Sequence, residues 1–154
     1  MVSKSLITDE ITKMIGTVGD PFFVLVERGL IKRLTQAVGD DNPLYRDREY
    51  AIRSGFGDTI APPYLLLTAF LGDPREGTHE ICNPLLKRFL DGGGKWEFYK
   101  DIRPGDMLMV IPKFANAYEK EGKSGKMLFL VTEVTFKNQL GEVIGKRQTT
   151  IIQY

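Results

Sequence analysis

The chain has 154 residues, 42% hydrophobic and 27% charged, a balance suited to one domain, 1–154, whose core needs no metal or disulfide support. Its 21 Lys plus Arg against 20 Asp plus Glu leave a net charge of +1, too small a basic field for nucleic acid to be an expected partner. A single cysteine, Cys82, and a single histidine, His79, exclude a disulfide scaffold and a structural zinc, and leave a Ser-His-Asp triad only His79 to use.

Lys4, Asp9 and Glu10 interrupt the first 20 residues, and no stretch approaches the roughly 18 apolar residues of a membrane span. No membrane association and a cytoplasmic location are therefore expected. Leu6, Ile7, Ile11, Met14 and Ile15 recur at helical spacing up to Gly16, after which Pro21 opens the strand-like run Phe22 to Val26. Leu30, Ile31, Leu34, Ala37 and Val38 mark one face of a helix that stops at Gly39. Asp40-Asp41-Asn42-Pro43 is turn chemistry, and a short helix is expected around Asp47 to Arg53, before Gly55-Phe56-Gly57. Pro62 and Pro63 suit a helix start, with an almost wholly apolar and therefore buried body from Tyr64 to Leu71. Strands are expected at Lys95 to Lys100, with Trp96 and Phe98 filling the core, then at Met107 to Phe114, Met127 to Phe136 and Val143 to Tyr154. Helices early and strands late give an α+β domain, an antiparallel sheet wrapped on one buried helix.

Gly122-Lys123-Ser124-Gly125-Lys126 imitates the end of a phosphate-binding loop, but Ala117 stands where the first glycine belongs and an apolar strand follows, so it is a hairpin turn. Asp40, Asp41 and Asn42 are adjacent rather than alternating, which excludes a calcium loop, and no metal or other cofactor is expected. His79 falls in the polar stretch Pro74 to Glu80 and reads as a solvated loop residue; Cys82 reads as a small hydrophobe.

The stretches Glu27-Arg28-Gly29-Leu30-Ile31, Ala37-Val38-Gly39-Asp40-Asp41-Asn42-Pro43-Leu44-Tyr45, Ser54-Gly55-Phe56-Gly57 and Ile60-Ala61-Pro62-Pro63 carry a resemblance. So do Gly92-Gly93-Gly94-Lys95-Trp96-Glu97-Phe98 and Ile102-Arg103-Pro104-Gly105-Asp106. Together they resemble the N-terminal half-domain of MaoC-type dehydratases, the group that includes the dehydratase region of type I fatty-acid synthases. The fold so implied is a hot dog, an antiparallel β-sheet wrapped around a long buried central helix. The activity so implied is the addition or removal of water across carbons 2 and 3 of an acyl thioester of coenzyme A or acyl carrier protein.

The resemblance also locates what is missing. Active members pair an Asp with a His in the pattern Asp-x-Asn-Pro-x-His; here Asp40, Asn42 and Pro43 match, but Tyr45 stands at the His position. With an ordinary pKa near 10, a tyrosine is about one part in a thousand ionised at pH 7, a poor base. Active members also aim a backbone N–H from a His-Gly pair at the thioester oxygen, and the matching positions are Pro62-Pro63, where proline has none. Losing one such donor costs about two to three powers of ten in rate. The chain thus resembles the half that keeps an acyl groove but not the catalysis, one hot dog where the active form has two. Its partner would be a catalytic MaoC-like chain in a heterodimer, or a second copy in a homodimer. Asp40 and Tyr45 would be degenerate catalytic positions, and Asn42, Phe56, Ala61, Pro63 and Tyr64 would line the acyl site. Two alternatives stay open: a self-sufficient hydratase or thioesterase using Asp40 with Tyr45 or His79, and an acyl-CoA binding module without chemistry.

Overall fold

The computed structural model describes residues 5–69, 82–122 and 125–154. Four α-helices are described: α1 (Asp9–Met14), α2 (Arg28–Val38), α3 (Arg48–Arg53) and α4 (Leu65–Thr68). Five strands, β1 (Phe22–Leu25), β2 (Phe89–Phe98), β3 (Met107–Gly122), β4 (Gly125–Lys137) and β5 (Val143–Gln153), form one antiparallel sheet in the order β1-β3-β4-β5-β2.

The sheet follows from alternation. Leu108 and Val110 on β3, Val134 and Phe136 on β4 and Ile144 on β5 are buried on one face, as a period of two requires. Onto that face pack Leu65 and Leu66 of α4, Ile31 of α2, and Val26, Ala61 and Ile102 from the connecting segments. A second cluster of Ile11, Phe114, Ala117, Leu128 and Leu130 closes the far end. Phe114 and Ala117 are three residues apart and would face opposite sides of a regular strand; the register shift between Phe114 and Asn116 inserts one residue and returns both to the interior.

Two glycine sites explain otherwise odd sequence. Gly92-Gly93-Gly94 spans a second register shift, with Gly93 at φ +88° and a Cβ on Gly94 placed 2.7 Å from the Gln148 carbonyl oxygen. At Gly145 a Cβ would meet Leu66 Cδ1 at 3.1 Å, so α4 seats on β5 because that position lacks a side chain.

The early helix is shorter than expected. It begins at Asp9 because Thr8 Oγ1 caps it by accepting from the Ile11 N–H at 3.2 Å, and Leu6 and Ile7 pack instead as irregular chain against the second cluster. The helix expected over 64–71 is described as the single turn α4; Phe70 and Leu71 lie outside the described residues. It is not apolar against protein all round, since Leu67 is 49% exposed. Phe98 likewise departs from its expected core role: among the described residues β2 has a neighbouring strand on one side only, and Phe98 is 48% exposed while Trp96 packs on the core. Among the described residues no helix is long and apolar enough to cross a membrane.

Candidate functional site

Helix α2 delivers the first group. Its chain direction reverses at Gly39, in the left-handed region at φ 72°, and the next residue, Asp40, donates its N–H back to the Thr35 carbonyl at 2.9 Å. Asp40 then acts as a turn residue: its Oδ1 accepts from the Asn42 N–H at 3.0 Å. Asn42 in turn caps a 3-10 turn over Pro43–Tyr45, its Oδ1 accepting from the Leu44 N–H at 3.1 Å. This turn sets Tyr45 half-buried against the main core.

Tyr64 comes from 24 residues further along, at the N-terminal boundary of α4, and its hydroxyl donates to Asp40 Oδ2 at 2.8 Å. The sequence reading placed Tyr64 at the acyl site but not on this carboxylate; a contact at that separation leaves no local pattern. Asp40 is held below the usual carboxylate range by the Asn42 N–H and then by the Tyr64 hydroxyl. Tyr64 is pushed up to about 12 by burial and by donating to Asp40. Tyr45 is also raised, by burial and by the Asp40 charge. At neutral pH the cluster is one carboxylate capped on both oxygens beside two protonated phenols. None of these groups is poised near 7, where a general acid or base works best.

At the start of α4, prolines stand at the two positions that the resemblance matches to the donor pair. The Ala61 N–H donates to the Ile102 carbonyl at 2.7 Å, and Pro62 and Pro63 have none. The Leu65 and Leu66 N–H groups donate to the Pro62 and Pro63 carbonyls at 2.9 and 3.2 Å.

The remaining positions named from the sequence are scattered. Asn42 sits within the Asp40 turn, Ala61 is buried on the bridge to Ile102, and Pro63 is exposed. Phe56 follows α3, its carbonyl accepting from Arg103 Nη1 at 2.7 Å and its N–H donating to Ala51. His79 lies outside the described residues, and Cys82 is half-buried. No cluster of three or more His, Cys, Asp or Glu able to hold a metal occurs among the described residues.

Beside this cluster runs a cleft of about 330 Å³, lined by Arg28, Lys32 and Gln36 of α2 and by Tyr45, Arg46 and Arg48. Sequence reasoning missed it. The available signal was the spacing of Arg28, Lys32 and Gln36 at i, i+4 and i+8, which aligns them on one helix face.

Known proteins share this architecture. A UPF0336 protein of Parafrankia sp. (strain EAN1pec) is 30% identical over 128 residues, 82% of this chain and 82% of that protein. A probable enoyl-CoA hydratase alpha subunit of Thermomonospora curvata is 25% identical over 142 residues, covering 81% of this chain but 44% of that protein. Among solved structures, the ChsH1-ChsH2 complex from Mycobacterium tuberculosis matches with a TM-score of 0.79 at 15% identity, over 94% of this chain and 88% of that one. A MaoC-like dehydratase matches with a TM-score of 0.76 at 20% identity, over 93% of this chain and 43% of that one. The structural likenesses give the fold, a hot dog. The family described as FAS1-like, dehydratase domain region, matches residues 13–147, and the chain belongs to it.

Proposed function

We propose that this chain is the acyl-binding, non-catalytic half of an (R)-specific enoyl thioester hydratase or 3-hydroxyacyl thioester dehydratase, working beside a catalytic MaoC-like chain. The observation that carries the proposal is the Asp40 carboxylate, held by Asn42 and by Tyr64 at 2.8 Å, with Tyr45 where the motif calls for histidine.

Dehydration of a 3-hydroxyacyl thioester takes a proton from carbon 2, protonates the departing hydroxide, and stabilises the charge that builds on the thioester oxygen. Asp40 is a weak base, since its pKa is lowered and proton abstraction would compete with the Tyr64 hydrogen bond. Tyr64, at about 12, is a weak acid for the hydroxide. The oxyanion donor is missing at Pro62 and Pro63. A partner chain would supply all three functions, while this chain contributes walls for the acyl thioester.

Support for a partner comes from the surface. Among the described residues, edge strand β2 pairs only with β5 and leaves Phe89, Leu90 and Phe98 about half exposed, with Tyr99 at its end and Leu67 of α4 similarly open. An unpaired edge with exposed aromatic side chains is a pairing surface. A matched structure, ChsH1-ChsH2, is itself a complex.

Co-expression with a neighbouring-gene chain that retains Asp-x-Asn-Pro-x-His tests the proposal. A stable complex that hydrates crotonyl-CoA is the expected outcome. Failure of any such chain to co-purify, with the present chain a stable monomer on its own, would refute it.

A further inference from the structure

The face of the sheet that packs on α4 carries two separate apolar clusters, where a single domain usually has one contiguous core. On β4 the inward row runs Phe136, Val134, Thr132, Leu130, Leu128, with the period of two of a strand. Phe136 and Val134 belong to the cluster under α4, Leu130 and Leu128 to the far one. Thr132, between them, pairs in register with Thr149 of β5, and both are half-buried. The neighbouring inward residue of β5, Arg147, lies over the Trp96 ring, 5.2 Å from its centroid, on the β2 side. Among the described residues, therefore, the core is interrupted at a waist of two threonines.

The far cluster is closed by chain from outside the sheet. Residues 5–15 join no strand; Leu6 and Ile7 pack on the cluster and Ile11 of α1 is buried in it. Irregular backbone laid on a core needs its polar groups paired, and here side chains pair them. Glu119 accepts from the Ser5 hydroxyl at 2.6 Å and from the Leu6 and Ile7 N–H groups, while Asn83 Nδ2 donates to the Leu6 carbonyl at 2.8 Å. Asn83 is itself buried and donates its N–H to Gln153 Oε1 at 2.9 Å. Leu6 is thus pinned on one side to β3 and on the other, through Asn83, to the end of β5, which makes the segment a fixed wall.

We infer that this N-terminal segment is the end wall of the acyl groove, so that Leu6 and Ile7 set the longest acyl chain the protein accepts. That the occupant is an acyl chain rests on the function proposed above; that an apolar chain of limited length fits rests on the waist and the wall. The inward row from Phe136 to Leu130 spans about 20 Å at the rise of a β-strand. A zigzag carbon chain advances about 1.25 Å per carbon, so that span holds about 16 carbons.

Titration of the full chain with the even-numbered saturated acyl-CoAs from butyryl to icosanoyl, below their micellar concentrations, and with the matching free fatty acids tests the inference. Affinity is expected to rise by up to about fourfold per added methylene and to stop rising at or before palmitoyl. Leu6→Ala combined with Ile7→Ala, which trims the wall, should carry the rise on to stearoyl and icosanoyl. Thr132→Leu, which fills the waist, should stop it near about 10 carbons, the length from Phe136 to Thr132. Val18→Ala, a similar trimming of an exposed side chain outside the wall, should leave the profile unaltered. If the double variant misfolds by circular dichroism, Thr132→Leu still decides. A wild-type rise that continues unbroken to icosanoyl, a break that neither set of changes moves, or no binding of either series would overturn the inference. A fatty-acid break that shifts with these variants, without hydration in any complex, would leave the wall standing and remove the proposed function. Hydration of crotonyl-CoA by a complex whose chain-length profile ignores the variants would do the reverse.

Discussion

At the scale of single residues, the Asp40 carboxylate holds its own turn and anchors Tyr64. Both its oxygens are engaged, one by the Asn42 N–H and one by the Tyr64 hydroxyl. Because its folded pKa is depressed, the stability it contributes is present above the ordinary carboxylate range and is lost as pH falls through the lowered value. Tyr64→Phe removes one of the two groups that lower it, so the Asp40 carboxyl titration followed by NMR should move upward in that variant. An unchanged midpoint would mean the hydroxyl does not hold the carboxylate. Tyr45→His restores the motif's lettering but not the donor lost at Pro62 and Pro63. That variant should remain at background hydration of crotonyl-CoA, and appreciable turnover from this one change would show the donor to be dispensable. Of these residues, Asp40, Asn42, Pro43 and Tyr45 are legible in sequence because they are contiguous. The Tyr64 partnership is not, because it depends on where α4 docks.

At the scale of elements, the local rules carried far. Helix α2 stops where a glycine is needed at φ 72°, and β3 to β5 lie where apolar runs were visible; β3 and β4 extend further because cross-strand pairing continues past the apolar stretch, while β5 keeps to its expected range. The N-terminal segment was misjudged because its anchor is remote: Glu119 on β3 accepts from the Ser5 hydroxyl and from the Leu6 and Ile7 N–H groups, and pairs with Lys126 at 3.2 Å. These bonds, led by Ser5, pull its carboxyl down to about 2. Glu119→Ala should cost about 1–3 kcal/mol, the price of stranding donors that bonded a carboxylate, and should expose residues 5–15 to faster amide exchange. Gly145→Ala tests how α4 is seated. Its Cβ would press on both Leu66 Cδ1 and the Glu97 carbonyl oxygen at 3.1 Å, so a loss of about 1–3 kcal/mol in urea unfolding is expected from overpacking. A neutral result would show that α4 shifts freely on the sheet.

At the scale of the whole molecule, near-neutral composition conceals two uneven surfaces: the cationic cleft along α2 and the open edge of β2. Neither is visible in totals, since 21 cations and 20 anions say nothing of where they gather. Asp58 and Glu119, both held down at about 2, make the fold acid-sensitive in a defined window. Their contribution is complete above the ordinary carboxylate range near 4 and declines as pH falls toward 2, so urea midpoints should be flat from pH 7 to 5 and fall below pH 4. The resemblance sets Tyr45 at the motif's histidine position, and in the structure the Asp40 carboxylate accepts from the Tyr64 hydroxyl. The most direct test is therefore steady-state hydration of crotonyl-CoA by the purified chain alone. A rate indistinguishable from the uncatalysed background is predicted; turnover that Asp40→Asn abolishes would contradict a non-catalytic half.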